Sequence, residues 1–156
     1  MSHRWAALVL VLALCAMTPR HAAGQTIQSP RGHKITGGVG QNFPNPFNPE
    51  TTIPFHFEGC TDGSELHEVT VRILNVLGQR VATPVFAGTS ATSTVSVSAS
   101  LNKQPIDRLR LPCGSYLAYW DGNNQSTGKE AASGVYPYQV FADGRLLATG
   151  KMFNAK

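Results

Sequence analysis

This sequence is poor in charge, in cysteine and in helical periodicity, and each shortage argues against a class of protein. Asp, Glu, Lys and Arg make up only 14% of the 156 residues, and the formal net charge is +4 at pH 7. Neither that balance nor any basic run suits a nucleic-acid-binding protein. After the N-terminal segment no apolar stripe at helical spacing exceeds about two turns, so we expect no helical bundle.

The one long apolar run lies at the N-terminus and predicts a secretory signal peptide over residues 1–24. A weakly basic start precedes the run from Trp5 to Met17, and small residues suit cleavage before Gln25. The run is shorter than the roughly 20 residues that span a bilayer. We therefore expect an exported chain with no transmembrane segment after processing.

Cys60 and Cys113 are the two cysteines that follow the predicted signal peptide. In an exported chain such a pair predicts a disulfide, worth about 4 kcal/mol in the chain-entropy model. Two reduced, buried thiols are the alternative. A metal site is disfavoured, because His56 and Cys60 in one strand would lie roughly 13 Å apart. Cys113 has no ligand-type neighbour in the sequence.

From Thr51 onward short segments alternate apolar and polar residues, which predicts strands joined by turns. The apolar faces of the first two strands carry Ile53, Phe55, Phe57, Val69, Val71 and Ile73. Further strands are expected over residues 80–86, 114–120, 134–142 and 145–153, with turns at Leu77-Gly78-Gln79 and Asp143-Gly144.

The segment 88–112 differs from the rest of the chain in composition. It begins rich in serine and threonine, where Val95 and Val97 alternate with polar residues and predict an exposed strand. Residues 102–112 carry three basic side chains and are expected to form a solvated excursion. We interpret 88–112 as an insertion.

About seven short strands with frequent turns predict an all-β fold, an antiparallel β-sandwich. Pro54 and Pro137 lack a backbone donor, and each favours an edge strand. Residues 25–40 are polar, rich in glycine and without periodicity, so we expect a flexible leader ahead of the sandwich.

Oxygen ligands for calcium could come from Asp121, Asn123 and Asn124, which lie in one polar loop. Their spacing does not match the known twelve-residue calcium loop, so a turn-forming role is favoured.

Catalytic side chains are few and scattered. Ser133 lacks the Gly-x-Ser-x-Gly surroundings of a serine nucleophile. His33, His56 and His67 lie at unrelated positions, and although sequence order alone excludes no triad, no spacing supports one. We expect no enzyme, no cofactor and no metal.

The most informative segment runs from Gln41 to Phe55 and is dominated by proline, asparagine and phenylalanine. Its prolines fix φ and remove backbone donors, which excludes a helix. Its asparagines can close side-chain turns onto nearby backbone. A proline-rich linker has a similar composition, but the strand pattern that follows favours a stiff lead-in to a strand.

Together with three later blocks, this segment resembles the C-terminal sorting domain of type IX secretion cargo, which is related to the Ig-like domain of flagellar hook-capping proteins. The resemblance covers residues 41–153 and implies an Ig-like sandwich over 41–156. The residues that carry it are Phe43, Pro44, Asn45, Pro46, Phe47, Asn48 and Pro49, then Gly78, then Trp120, Asp121 and Gly122, and finally Ser133, Gly134, Val135, Tyr136 and Lys151.

The resemblance implies a non-catalytic module recognised by the outer-membrane secretion machinery. The protein would reach the cell surface or the extracellular space, or stay periplasmic if sorting fails. Recognition would use exposed strand edges and the last strand, where backbone pairing provides affinity. We interpret Phe43, Phe47 and Trp120 as structural anchors.

The alternative is a structural or adhesive extracellular subunit that keeps the fold without a sorting role and self-associates or binds other surface proteins. Two features motivate it. The predicted leader is too short for a cargo domain ahead of the proline motif, and a disulfide could staple the insertion.

Overall fold

The computed structural model describes residues 34–156, so the predicted signal peptide and His33 lie outside the described residues. Apart from a 3-10 turn at Ala99–Leu101, the regular structure described is all strand. No helix in this part of the chain could cross a membrane. The strands are β1 (Thr36–Val39), β2 (Thr51–Glu58), β3 (His67–Leu74), β4 (Arg80–Ala82), β5 (Val85–Thr89), β6 (Leu109–Leu111), β7 (Gly114–Trp120), β8 (Asn123–Asn124), β9 (Lys129–Glu130), β10 (Gly134–Ala142) and β11 (Arg145–Asn154).

Two antiparallel sheets form a β-sandwich, which confirms the predicted fold class. One sheet has the order β1-β2-β7-β5, and the other has the order β11-β10-β3-β4 with β6 also paired to β3. Strands β8 and β9 form a separate two-stranded ribbon. Apolar residues of both sheets share one buried core, which includes Ile53, Phe55, Phe57, Val69, Val71, Ile73, Tyr116, Tyr138, Val140 and Met152.

Most of the strands predicted from alternation are found. Strands β7 and β10 have the predicted bounds, and β11 extends one residue further, to Asn154. The turn before β11 also forms as expected, since Asp143 and Gly144 have φ of 49° and 75°. Such positive φ values at both central residues fit a two-residue hairpin turn.

The single strand expected over residues 80–86 is wrong, because this stretch forms two strands in different sheets. Strand β4 pairs with β3, whereas β5 pairs with β7. Pro84 lies between them and cannot donate to a ladder. The Thr83 N–H donates to Gln125 Oε1 and its C=O accepts from Gln125 Nε2, both at 2.9 Å. The side-chain amide of Gln125 therefore takes the place of a strand partner for Thr83, where the chain passes from one sheet to the other.

The solvated excursion expected over residues 102–112 is also wrong. Ile106 and Leu111 are fully buried, and β6 pairs with β3. The Ile106 N–H donates to Pro84 O, and its C=O accepts from the Val71 N–H, both at 2.9 Å. Sequence analysis missed β6 because its basic residues suggested exposure. The apolar residues between them are buried only through pairing with β3, which is distant in the chain.

The exposed strand expected around Val95 and Val97 does not form, and residues 90–98 have no regular structure. Val97 instead packs against the core. Alternation of only two valines with serine and threonine was therefore not sufficient for strand pairing. Of the leader expected over residues 25–40, residues 25–33 lie outside the described residues. The part over 34–40 contains structure, since Ile35 is buried and β1 pairs with β2.

Pro54 does not mark an edge strand, which corrects the prediction, whereas Pro137 lies in an inner strand but outside its pairing with β3. Strand β2 pairs on both sides, with β1 and β7, and the Pro54 C=O accepts from the Gly40 N–H at 2.8 Å. The Gly40 C=O, which a donor at position 54 would face, accepts the Tyr138 hydroxyl at 2.8 Å instead. Pro137 lies in β10, one residue before the segment Tyr138–Ala142 that pairs with β3.

Candidate functional site

Motif residues that are distant in the sequence converge at one end of the sandwich. The rings of Phe47, Trp120 and Tyr136 form an aromatic cluster with centroid distances of 5.3, 5.4 and 6.4 Å. Phe47 and Trp120 are only 1% and 2% exposed. Each aromatic pair is worth about 1 kcal/mol beyond the area it buries. These two rings therefore have the burial that an anchoring role requires.

Gly122 allows the Trp120-Asp121-Gly122 motif to lie directly against the proline-rich segment. Its φ is +77°, and a Cβ built on it would lie 2.0 Å from the Pro49 carbonyl oxygen. The Gly122 C=O accepts from the Ala131 N–H at 2.8 Å, and Trp120 Nε1 donates to Asn123 O at 2.9 Å. Only glycine fits where the two backbones approach this closely.

Asparagine side chains organise the proline-rich block, as the sequence predicts. Asn42 is 1% exposed, and its Nδ2 donates to Pro44 O and to Thr51 Oγ1, both at 2.9 Å. Asn45 reaches further, since its Oδ1 accepts from the Phe153 N–H at 3.1 Å. The first block is thereby joined to strand β11.

The backbone of Phe47 also holds the last strand. Its N–H donates to Phe153 O at 2.9 Å, and its C=O accepts from the Ala155 N–H at 3.1 Å. These bonds form a parallel bridge opposite Asn154. The proline-rich block is therefore a short extra partner for the C-terminal end of β11.

Asn154 completes this attachment, and sequence reasoning missed its role. It is 4% exposed, and its Nδ2 donates to Ala131 O at 3.0 Å and to Ala132 O at 3.3 Å. The available signal was a polar residue at an inward position, two residues after the buried Met152. Next to it, Ser133 Oγ accepts from the Lys156 N–H at 3.2 Å, which gives Ser133 a structural contact.

The aromatic ring of Phe43 does not serve as a buried anchor, because it is 53% exposed. Its backbone is the part that is held, by two 2.9 Å hydrogen bonds with Thr52. Gly78 lies at the expected turn with φ of 75°. Its neighbours Val76 and Leu77 are 75% and 78% exposed.

The polar loop after Trp120 is built by turn hydrogen bonds. Asp121 Oδ1 accepts from the Asn123 N–H and Oδ2 from Asn123 Nδ2, both at 2.9 Å. Asn124 Oδ1 accepts from the N–H and hydroxyl of Ser126. These oxygens are therefore engaged in the turn. Within residues 34–156 no hydrogen bond joins a serine hydroxyl to an imidazole, so no serine–histidine pair is assembled there.

At another corner of the sandwich, Cys60 and Cys113 form the predicted disulfide. His67 lies beside it: a ring nitrogen and both sulfurs are within 4.8 Å of one another. Sequence reasoning missed this neighbour because the β3–β6 register creates it, pairing His67 with Leu111.

The other side of the His67 ring faces a carboxylate. His67 Nδ1 is 2.7 Å from Asp143 Oδ2, and the Glu68 N–H donates to Asp143 Oδ1 at 3.0 Å. Partial burial opposes ionisation of Asp143, but these two hydrogen bonds outweigh it and hold its pKa below the usual value of 3.8. Asp143 thus fixes the orientation of a buried imidazole.

Comparison with known proteins gives one family. Residues 41–132 match the family described as the secretion system C-terminal sorting domain, while no curated protein and no solved structure matches the chain. The match includes the proline-rich block, the turn at Gly78 and Trp120-Asp121-Gly122. Residues 133–136 and Lys151 lie beyond it, so their part in the family pattern stays a prediction. Because the match spans more than half of the 156 residues, the chain belongs to the family of secretion system C-terminal sorting domains.

Proposed function

We propose that the chain works as a type IX sorting module through the outer edge of strand β11, the side that faces away from β10. The sorting function itself follows from the family. The use of this edge is supported by the covered edge at β5 and the short edges at β1, β4 and β6, by the direction of the β11 backbone and by exposed apolar side chains on the strand.

The edge formed by β5 is covered by the insertion. The Lys103 N–H donates to Phe86 O, and the Phe86 N–H donates to Gln104 O, both at 2.8 Å. The opposite edge of that sheet is β1, which has only four residues, among them Gly37 and Gly38. Short edges of this kind are poor templates for strand addition. The ten-residue β11 offers a much longer edge.

Phe153 indicates which backbone groups of β11 point outward. Its N–H and C=O bond to Asn45 and Phe47, so both face away from β10. Alternate residues of a strand share this direction, which places the backbone groups of Lys151 and Thr149 on the outer edge as well. In the described part of the chain no strand pairs with them. A partner strand could add here by backbone hydrogen bonding.

Exposed side chains on β11 could make docking selective, in addition to the backbone hydrogen bonds that any strand could form. Leu146 and Phe153 are 51% and 41% exposed on this strand, and Lys151 lies between them in an exposed position. Backbone pairing would supply affinity, and apolar pockets on the partner would supply selectivity.

The partner is then a component of the outer-membrane secretion machinery with its own unpaired strand. Family membership supports export to the cell surface or exterior. We expect periplasmic retention when docking fails. Sorting domains of this family are in general non-catalytic. Self-association through the same edge would compete with docking.

A proline substitution tests the edge without changing the opposite face of the strand. Lys151→Pro removes an outward N–H, and proline is tolerated at an edge position of this kind. Lys151→Ala, the matched control, loses the same side chain but keeps the N–H. A secreted reporter fused to the chain should be exported at least tenfold less with Lys151→Pro and normally with Lys151→Ala.

Circular dichroism and thermal unfolding must first show that both variants fold like the parent. Equal export of the two folded variants would contradict the proposal. A folded Lys151→Pro variant that loses only dimerisation, with export intact, would assign the edge to self-association instead.

A further inference from the structure

We propose that reduction of the Cys60–Cys113 disulfide creates a binding site for a thiophilic divalent cation such as Zn²⁺. The ligands are the two thiolates and the free ring nitrogen of His67, and the fourth position is open to Glu65, beside His67, or to water. This site is independent of the edge of β11 and goes beyond the sorting function.

The three principal ligand atoms are already gathered. The two sulfurs and a ring nitrogen of His67 lie within 4.8 Å of one another. A tetrahedral zinc ion, with Zn–S of about 2.3 Å and Zn–N of about 2.0 Å, places its ligand atoms about 3.5–3.8 Å apart. Small side-chain movements therefore convert the cluster into a coordination sphere once the sulfurs are no longer bonded.

His67 is oriented as a metal ligand would be. The hydrogen bond between Nδ1 and Asp143 Oδ2 leaves Nε2 as the remaining acceptor. The residue is only 7% exposed, and Nε2 is buried without a hydrogen-bond partner. A buried polar atom without a partner is unfavourable, and a bound cation would satisfy it. Carboxylate–histidine–metal arrangements use the same geometry to fix the tautomer and ring direction.

Glu65 and the backbone complete the surroundings of the site. Glu65 Oε2 accepts from the N–H and hydroxyl of Thr61 at 2.8 and 2.7 Å, which leaves Oε1 available 3.6 Å from His67 Nε2. The Cys60 N–H is 3.1 Å from Cys113 Sγ and would support a thiolate there. Two thiolates, an imidazole and a carboxylate form a ligand set that suits zinc.

The chemistry requires an external reductant, for which a water-soluble phosphine serves. The S–S bond takes up two electrons and two protons, giving two thiols, while the phosphine gains an oxygen from water and becomes its oxide. Cation binding then forms two metal–sulfur bonds and releases both thiol protons. Once Cys60 and Cys113 are joined, the site has no thiolates to offer, so it exists only before oxidation or after reduction.

The test is a titration of phosphine-reduced residues 25–156, which omit the third cysteine Cys15, with Zn²⁺ against a chromogenic chelator, and with Co²⁺ followed by absorption. We expect one ion per reduced chain, at least 100-fold weaker binding by the oxidised chain, and a cobalt spectrum with thiolate charge transfer and tetrahedral d–d bands. His67→Gln should weaken zinc binding at least tenfold. His56→Gln, at an exposed histidine on strand β2 of the other sheet, is the matched control and should bind like the parent.

Asp143→Asn tests whether Asp143 orients the His67 ring. A folded variant should bind the metal about 10–100-fold more weakly, as is usual when an outer-shell partner is lost. If His67→Gln does not fold, zinc binding and the cobalt spectrum of the reduced parent still test the proposal. Absence of zinc binding, or a cobalt spectrum without thiolate charge transfer, overturns the proposal. Equal affinities of folded His67→Gln and His56→Gln also overturn it.

Discussion

Gly122 shows at the scale of one residue how two motif blocks depend on each other. Its backbone lies so near the Pro49 carbonyl that a Cβ would be 2.0 Å from the oxygen, and its φ of +77° favours glycine. The glycine of Trp-Asp-Gly is therefore required by packing against the proline-rich block. If the Pro49 carbonyl did not lie against Gly122, only the positive φ would favour glycine there.

Gly122→Ala should lower the free energy of unfolding by about 2–4 kcal/mol, because overpacking adds to left-handed backbone strain. Gly128→Ala is the matched control: its φ is +67°, but nothing lies within 4 Å of a built Cβ. That control should cost about 1–2 kcal/mol from strain alone. Urea denaturation of both variants measures the difference, and equal losses would contradict the close approach.

Tyr116 gives the stability of the sandwich an alkaline limit. Burial raises the pKa of its phenol from 10.0 to about 12, and the hydroxyl donates to Pro112 O at 2.6 Å. Because the folded-state pKa lies above the unfolded one, this stabilisation is present below pH 10 and is lost as the pH rises towards 12.

We predict that Tyr116→Phe loses less stability than the parent between pH 10 and 12. At pH 8 the variant should be less stable by about 1 kcal/mol, since it lacks the hydroxyl hydrogen bond. Denaturation curves at several pH values provide the comparison. Parallel alkaline losses in the two proteins would show that Tyr116 does not set the limit.

At the scale of the element, strand β11 is held at its C-terminal end by side chains and backbone from other blocks. Asn154 donates to two carbonyls, and Phe47 pairs with the backbone on either side of it. The middle of the outer edge lacks such attachment in the described chain. This combination fixes the end of the strand and is compatible with the docking edge that we propose.

Asn154→Ala should destabilise the chain by about 1–3 kcal/mol, because Ala131 O and Ala132 O lose their side-chain donor. The amides of Phe47 and Ala155 should exchange with deuterium faster than in the parent. Lys156→Ala, which removes only an exposed 3.2 Å ion pair with Glu130, should cost less than about 1 kcal/mol. Unchanged exchange in Asn154→Ala would exclude it from the attachment.

The sequence predicted strands well where alternation is strict and poorly where pairing is distant. Strands β7 and β10 were located residue by residue, since each buries alternate large side chains. Strand β6 was missed because three residues carry too short a pattern, and their burial depends on β3. Pro54 misled the edge assignment because its replacement donor, the Tyr138 hydroxyl, comes from the other sheet.

At the scale of the whole molecule, the motif pattern predicted the family and two of the three buried anchors it needs, Phe47 and Trp120. It could not predict which blocks touch. The contacts of Asn45 with Phe153 and of Asn154 with Ala131 cross more than twenty residues. The cluster of His67 with the disulfide has the same origin, since no local spacing joins His67 to Cys113. Tertiary pairing alone creates these sites.

The most direct test of the account is whether this sandwich sorts a protein across the outer membrane. A reporter with an inner-membrane export signal at its N-terminus and residues 34–156 at its C-terminus should be produced in a type IX-competent bacterium and in an isogenic strain lacking that system. We predict surface or extracellular reporter in the first strain and periplasmic reporter in the second. Equal distribution of the reporter in the two strains would contradict the assignment as a sorting module.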